Sequence, residues 1–148
     1  MKSIVFMAIL LGSLFAHAGL AGDWTGFGSW KFKGEGDGVR CSPMTMKWTE
    51  TKNTIAIESG FFDCEFVAMH VYKTEWTIVE GKLFDENQKE VGSYNGTEFQ
   101  VYMPSPNEKT TIAISAKREA NHYDYQEVWF NEFEKVYVIE ARFFTGGQ

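Results

Sequence analysis

The side chains of this 148-residue chain that could do chemistry are its carboxylates, histidines, cysteines and rings, and their spacing limits what that chemistry is. His70 and His122 stand without cysteine or carboxylate at metal-ligand spacing, so no metal site is expected and each reads as a surface or rim histidine. The sequence holds no G-x-S-x-G, no H-E-x-x-H and no P-loop, and no serine has a recognisable base partner. Gly34-Glu35-Gly36-Asp37-Gly38 is glycine-rich, but no helix follows to cradle a phosphate, and it reads as a loop. Catalysis by His122, or by Glu127 with Glu140 as a carboxylate pair, ranks below every binding reading, and neither enzyme activity nor cofactor is expected. The most specific constellation is Tyr123, Tyr125, Glu127 and Trp129 facing Glu140 and Arg142 across the last hairpin.

Charge and the N-terminus narrow the partners. A formal net charge of −6 leaves no basic stripe to displace counterions from phosphates, which excludes a nucleic-acid partner and disfavours an anionic membrane surface. Lys2, an apolar run over residues 4–11 and Ala16-His17-Ala18 form the three parts of a secretory signal peptide, cleaved after Ala18. The apolar run falls short of the roughly 20 residues that span a bilayer. The expected organisation is therefore a signal peptide over 1–18 and one domain over 19–148, secreted or periplasmic, with no membrane insertion after cleavage. Export into an oxidising compartment makes Cys41 and Cys64 a candidate disulfide, because a hairpin turning over residues 49–54 brings them to the same level. The alternative is two buried thiols.

The elements that position these residues alternate with period two, and sustained helical periodicity is missing after residue 18. Trp24, Gly26, Gly28, Trp30 and Phe32 share one face of the first strand; Met44, Met46 and Trp48 share a face of the second. Ile55 and Ile57 oppose Thr54 and Glu58, and Phe62, Cys64, Phe66, Ala68 and His70 read as one face of a single strand. Further strands are expected over 75–84, 89–94, 97–103, 109–117, 121–130 and 134–144. Turns fall at Asp85-Glu86-Asn87-Gln88, at Pro104-Ser105-Pro106-Asn107 and at Asn131-Glu132-Phe133. Asn95-Gly96 is expected to form a type I′ turn, a role that accounts for the glycosylation sequon Asn95-Gly96-Thr97 without modification.

The fold class this predicts is all-β: a single up-and-down antiparallel β-barrel of about eight to ten strands, with a two-sheet sandwich as the alternative. An outer-membrane barrel does not fit, since the faces carrying Lys47, Asp63 and Glu65 are hydrated. Gly22-Asp23-Trp24 matches the G-x-W motif that opens the first lipocalin strand, Asp124-Tyr125 is similar to the second lipocalin motif, and Arg142 lies where the last strand supplies a basic residue. On these residues the chain resembles the calycins, the superfamily of lipocalins, fatty-acid-binding proteins and avidins. The resemblance implies that Arg142 packs across Trp24 and closes one end of the barrel, as cation and ring physics would favour. The chain stops soon after Phe143-Phe144 and residues 34–40 supply no helical lid, so a helix-free, avidin-like barrel is expected, without a biotin-binding pattern.

A closed sheet would gather Trp30, Phe32, Met46, Trp48, Ile57, Phe66, Phe99, Ile112 and Ile114 around one axis as the walls of a ligand site. Tyr123, Tyr125 and Glu127 would add a polar belt if their face is interior; if it is exterior, they form an outward ladder with Glu140 and Arg142. Gly26 and Gly28 either leave room for the ligand or let the first strand bend. The expected function is a monomeric carrier of a small apolar or amphipathic molecule, such as a long-chain fatty acid. The alternative is a structural or interaction protein of the cell envelope whose barrel is filled by its own side chains.

Overall fold

The computed structural model describes residues 19–33, 36–105, 109–132 and 134–145. The signal peptide over 1–18, the start of the glycine-rich loop at Gly34-Glu35, Pro106-Asn107 of the proline turn and Phe133 of the last turn lie outside the described residues.

Among the described residues all regular structure is strand: β1 (Gly22–Phe32), β2 (Val39–Glu50), β3 (Thr54–Cys64), β4 (Val67–Val71), β5 (Thr74–Val79), β6 (Lys82–Phe84), β7 (Glu90–Tyr94), β8 (Glu98–Pro104), β9 (Thr111–Arg118), β10 (His122–Asn131) and β11 (Glu134–Thr145). The strands form one antiparallel sheet in which β1 pairs with both β2 and β11, and β2 pairs with β3, so the sheet runs round into a ring. Such closure disposes of the unpaired backbone edges that an open sheet exposes. One edge stays free. β4 and β5 continue each other in the same register along β3, but β6, which joins β5 to β7, reaches β5 and not β4, and β6 and β7 are just three and five residues long. Above them the second edge of β4 has no partner strand, which leaves a gap in the wall between β4 and β8.

Two expected strands each prove to be two. The chain reverses at Glu65-Phe66, pairing Cys64 with Val67, so the strand expected to run through Phe62, Phe66 and His70 is the β3–β4 hairpin. That reversal changes the facing parity. Met69 and Val71 turn toward the interior, Ala68 and His70 are exposed, and Phe66, expected inside, is 86% exposed on the turn. The strand expected over 75–84 is broken by Glu80-Gly81, both at positive φ (50° and 78°), the signature of a type I′ turn. The Asn95-Gly96 expectation needs the opposite correction. Asn95 does not take positive φ; it pairs with Glu98, which puts Gly96-Thr97 at the centre, while its Oδ1 accepts from the Thr97 and Glu98 N–H groups. The turn at residues 85–89 forms as expected, with Asp85 Oδ1 accepting from the Asn87 and Lys89 N–H groups.

Candidate functional site

The interior has two unlike ends. At the end where the chain enters, rings fill the space: Trp48 and Phe99 meet edge to face at 5.1 Å, Trp76 and Phe99 at 5.0 Å, and Trp24 and Tyr123 at 4.8 Å. Trp24 Nε1 donates to the Leu20 carbonyl and Trp48 Nε1 to Tyr123 Oη. Met46, Trp48, Phe99 and Tyr123, expected in the ligand wall, belong to this filled end and are essentially fully buried. The residue that lies across Trp24 is Arg118, whose guanidinium carbon sits 4.4 Å from the ring centre. Arg142, expected there, is instead on the outer face and forms a two-pronged ion pair with Asp124 (2.6 and 3.0 Å), which holds the Asp124 carboxyl below its ordinary value.

The reason is a one-residue bulge. The last hairpin begins in the expected register, Asn131 opposite Glu134 and Phe130 opposite Lys135, and then slips so that Trp129 faces Tyr137. From there on Tyr125 pairs with Ala141 and Tyr123 with Phe143, in place of the expected Glu140 and Arg142. A slip of one residue sends every following side chain of a strand to the other face. The two open alternatives for this hairpin thus divide: Tyr123, Tyr125 and Glu127 point inward, while Glu140 and Arg142 stand outside with Gln126 and Asp124.

The other end holds a cavity of about 820 Å³, open to solvent. Its apolar wall includes Ile57, Phe62, Met69, Met103, Ile112, Ile114 and Ile139, and the free edge of β4 and the turn residue Glu86 border it. Within it Glu127 carries the polar chemistry: Tyr125 Oη donates to its Oε2 at 2.7 Å and Trp129 Nε1 to its Oε1 at 2.6 Å. Burial, and then the neighbouring Glu127 carboxylate, push the Tyr125 hydroxyl well above its ordinary value, so it remains a donor. The same two causes raise Tyr137, whose ring stacks on Trp129 at 4.9 Å. Trp30 and Phe32 pack against Tyr137 at the rim, Phe32 being 38% exposed, and Trp30 Nε1 is buried without a hydrogen-bond partner.

No family model matches this chain, and no curated protein does. Of the expected ligand residues, Ile57, Ile112, Ile114 and Glu127 line the cavity, Tyr125 anchors Glu127 from below, and Phe66 lies outside altogether. Phe62, Met69, Met103, Trp129, Tyr137 and Ile139 were not in the expected set. Met69 was hidden by the unrecognised reversal at Glu65-Phe66, and Tyr137 and Ile139 by the bulge, whereas Trp129 shares the period-two face of Glu127 and was within reach.

The glycines offer no space. A Cβ on Gly26 would overlap the Arg142 carbonyl, and one on Gly28 the Glu140 carbonyl, so these positions admit the close approach of β11 to β1. Cys41 and Cys64 are a directly opposed pair on β2 and β3, joined by a disulfide and buried. A second depression of about 650 Å³ lies on the outer face beside Asp124, Arg142, Glu98 and Lys117. Its borders are solvated charges, which makes the interior cavity the better candidate site.

Proposed function

We propose that this ring is a calycin-like β-barrel, exported from the cell, that binds one small apolar or amphipathic molecule in the cavity at its open end and catalyses nothing. The observation that carries the reading is the cavity: about 820 Å³, walled mainly by isoleucine, methionine and aromatic side chains and furnished with one anchored carboxylate. Small-molecule sites have this size and this mixture of apolar wall and few polar groups. A plugged end of packed rings with an open opposite end is also what a carrier needs, since the plug gives rigidity and the opening gives access. The disulfide suits an oxidising, extracellular or periplasmic compartment, and the expected signal peptide agrees with it. The calycin likeness rests on Gly22-Asp23-Trp24 at the start of β1 and on a cation over that tryptophan, here Arg118.

An environment-sensitive neutral apolar dye tests the reading. Saturable binding with one-to-one stoichiometry, lost when Ile114 is replaced by a bulkier Trp in a protein that stays folded, is the expected result. No binding by the dye or by any long-chain competitor would favour the envelope protein with a filled interior.

A further inference from the structure

The geometry points to a cationic head group on the ligand: an aliphatic or aromatic amine, or a quaternary ammonium, carried on an apolar tail. This inference rests on the carrier reading above and names the ligand class of the same cavity.

Glu127 is the anchor. Each of its two oxygens accepts one hydrogen bond from the protein, from Tyr125 Oη and Trp129 Nε1, which fixes the carboxylate in place. A carboxylate has roughly four acceptor positions, so about half remain for a ligand. Both protein donors are neutral groups and neither supplies a balancing positive charge. Among the described residues no lysine or arginine lines the cavity; its other carboxylate is Glu86, and its one imidazole is His70, exposed on β4 at the border. An anionic head group would therefore meet Glu127 with no lysine or arginine beside it to offset the repulsion. A cation meets the opposite situation. Trp129 and Tyr137, stacked on each other beside the carboxylate, present electron-rich rings, and a cation next to both an anion and such rings is attracted by each. The wall of Ile57, Ile112, Ile114 and Met103 flanks this point, with Ile114 level with Glu127 and Ile112 level with Trp129, and suits an aliphatic or aryl tail.

The experiment displaces the neutral dye with decylammonium, decanol and decanoate, all below their micelle concentrations, from wild-type protein and from Glu127→Gln. Decylammonium should compete at about tenfold lower concentration than decanol, with decanoate the weakest of the three. In Glu127→Gln the advantage of the ammonium over the alcohol should shrink to about twofold or less, while decanol is held as before. Equal competition by all three in the wild type, or a preference for decanoate, overturns the head-group inference and leaves the carrier reading standing. A dye that does not bind at all overturns both. Near-ultraviolet circular dichroism establishes that Glu127→Gln is folded, and if it is not, the order of the three head groups in the wild type decides alone.

Discussion

Arg118 and Arg142 show how little a residue type says about its role without its neighbours. Both are arginines near strand ends, but Arg118 lies half-buried over the Trp24 ring, while Arg142 is exposed beside Asp124. An exposed ion pair contributes little, because water solvates the separated charges nearly as well. A packed guanidinium covering a ring contributes through dispersion and exclusion of water as well as charge. Arg118→Ala should therefore lower stability by roughly 1–3 kcal/mol in urea unfolding, whereas Arg142→Ala should leave the midpoint close to that of the wild type. A larger loss for Arg142→Ala than for Arg118→Ala would refute this assignment. Gly26 carries a second residue-scale prediction. Gly26→Ala should cost about 1–3 kcal/mol, because the added carbon meets the β11 backbone and one strand must move. Dye affinity of the folded variant should stay unchanged, since the position lies outside the cavity; weaker binding would show that the glycine leaves space for ligand after all.

Among the elements, the β10–β11 hairpin decides the chemistry of the interior. Its bulge between Trp129 and Phe130 sets Glu127 beside Trp129 and Tyr137 and turns the Glu140 and Arg142 charges into solvent. Without the slip the interior would receive Glu140 and Arg142 in place of Ile139, Ala141 and Phe143, and the apolar wall would be lost. One strand further round the ring, past β1, the β2–β3 pair is cross-linked near the β3–β4 turn, where β4 has only one partner strand. The disulfide closes a loop with a sequence separation of 23. Replacing both cysteines by alanine should cost roughly 3 kcal/mol by loss of the constraint on the unfolded chain, measured as a shift of the urea midpoint. Mass analysis after alkylation without reductant should find neither cysteine labelled in the wild type.

For the molecule as a whole, the buried tyrosines give a pH signature. Tyr94, Tyr123, Tyr125 and Tyr137 are all raised, chiefly by burial, with Glu50 adding to Tyr94 and Glu127 to Tyr125 and Tyr137. A hydroxyl that ionises later in the folded chain than in the unfolded one contributes stability that is complete below the unfolded value, near pH 10, and lost above it. The urea midpoint should hold steady from neutral pH and fall steeply above about pH 10, with phenolate absorbance of these four rings appearing together with unfolding. Phenolate formation well before unfolding would show that the rings are accessible. On the acid side the loss should be shallow. The depressed carboxyls, Asp124 beside Arg142, Glu58 beside Thr49 and Lys73, and Glu134 beside Lys33, stabilise the fold above their unfolded values near pH 4 and cease to do so below, and all three are reached by solvent, Glu58 the least.

Period-two alternation was enough to establish an all-β chain of consecutive antiparallel strands, because burial of one sheet face imposes that pattern locally and residue by residue. The Cys41–Cys64 pairing was legible for a related reason: one hairpin turn and two spacings determine which residues lie level. What alternation does not carry is the point at which its phase changes. Phe62 to His70 alternates through Glu65-Phe66 as if nothing happened, yet the chain reverses there and Phe66 ends in solvent. The slip beside Trp129 leaves the same blank in the sequence, so the face of Arg142 was beyond reach while that of Ile112 or Ile114 was not. The pairing of Arg118 with Trp24 joins β9 to β1, and the opening beside β4 depends on how short β6 and β7 are. Local chemistry determines which residues prefer burial; only closure of the ring decides which of them meet, because that depends on where the register slips and where a strand ends.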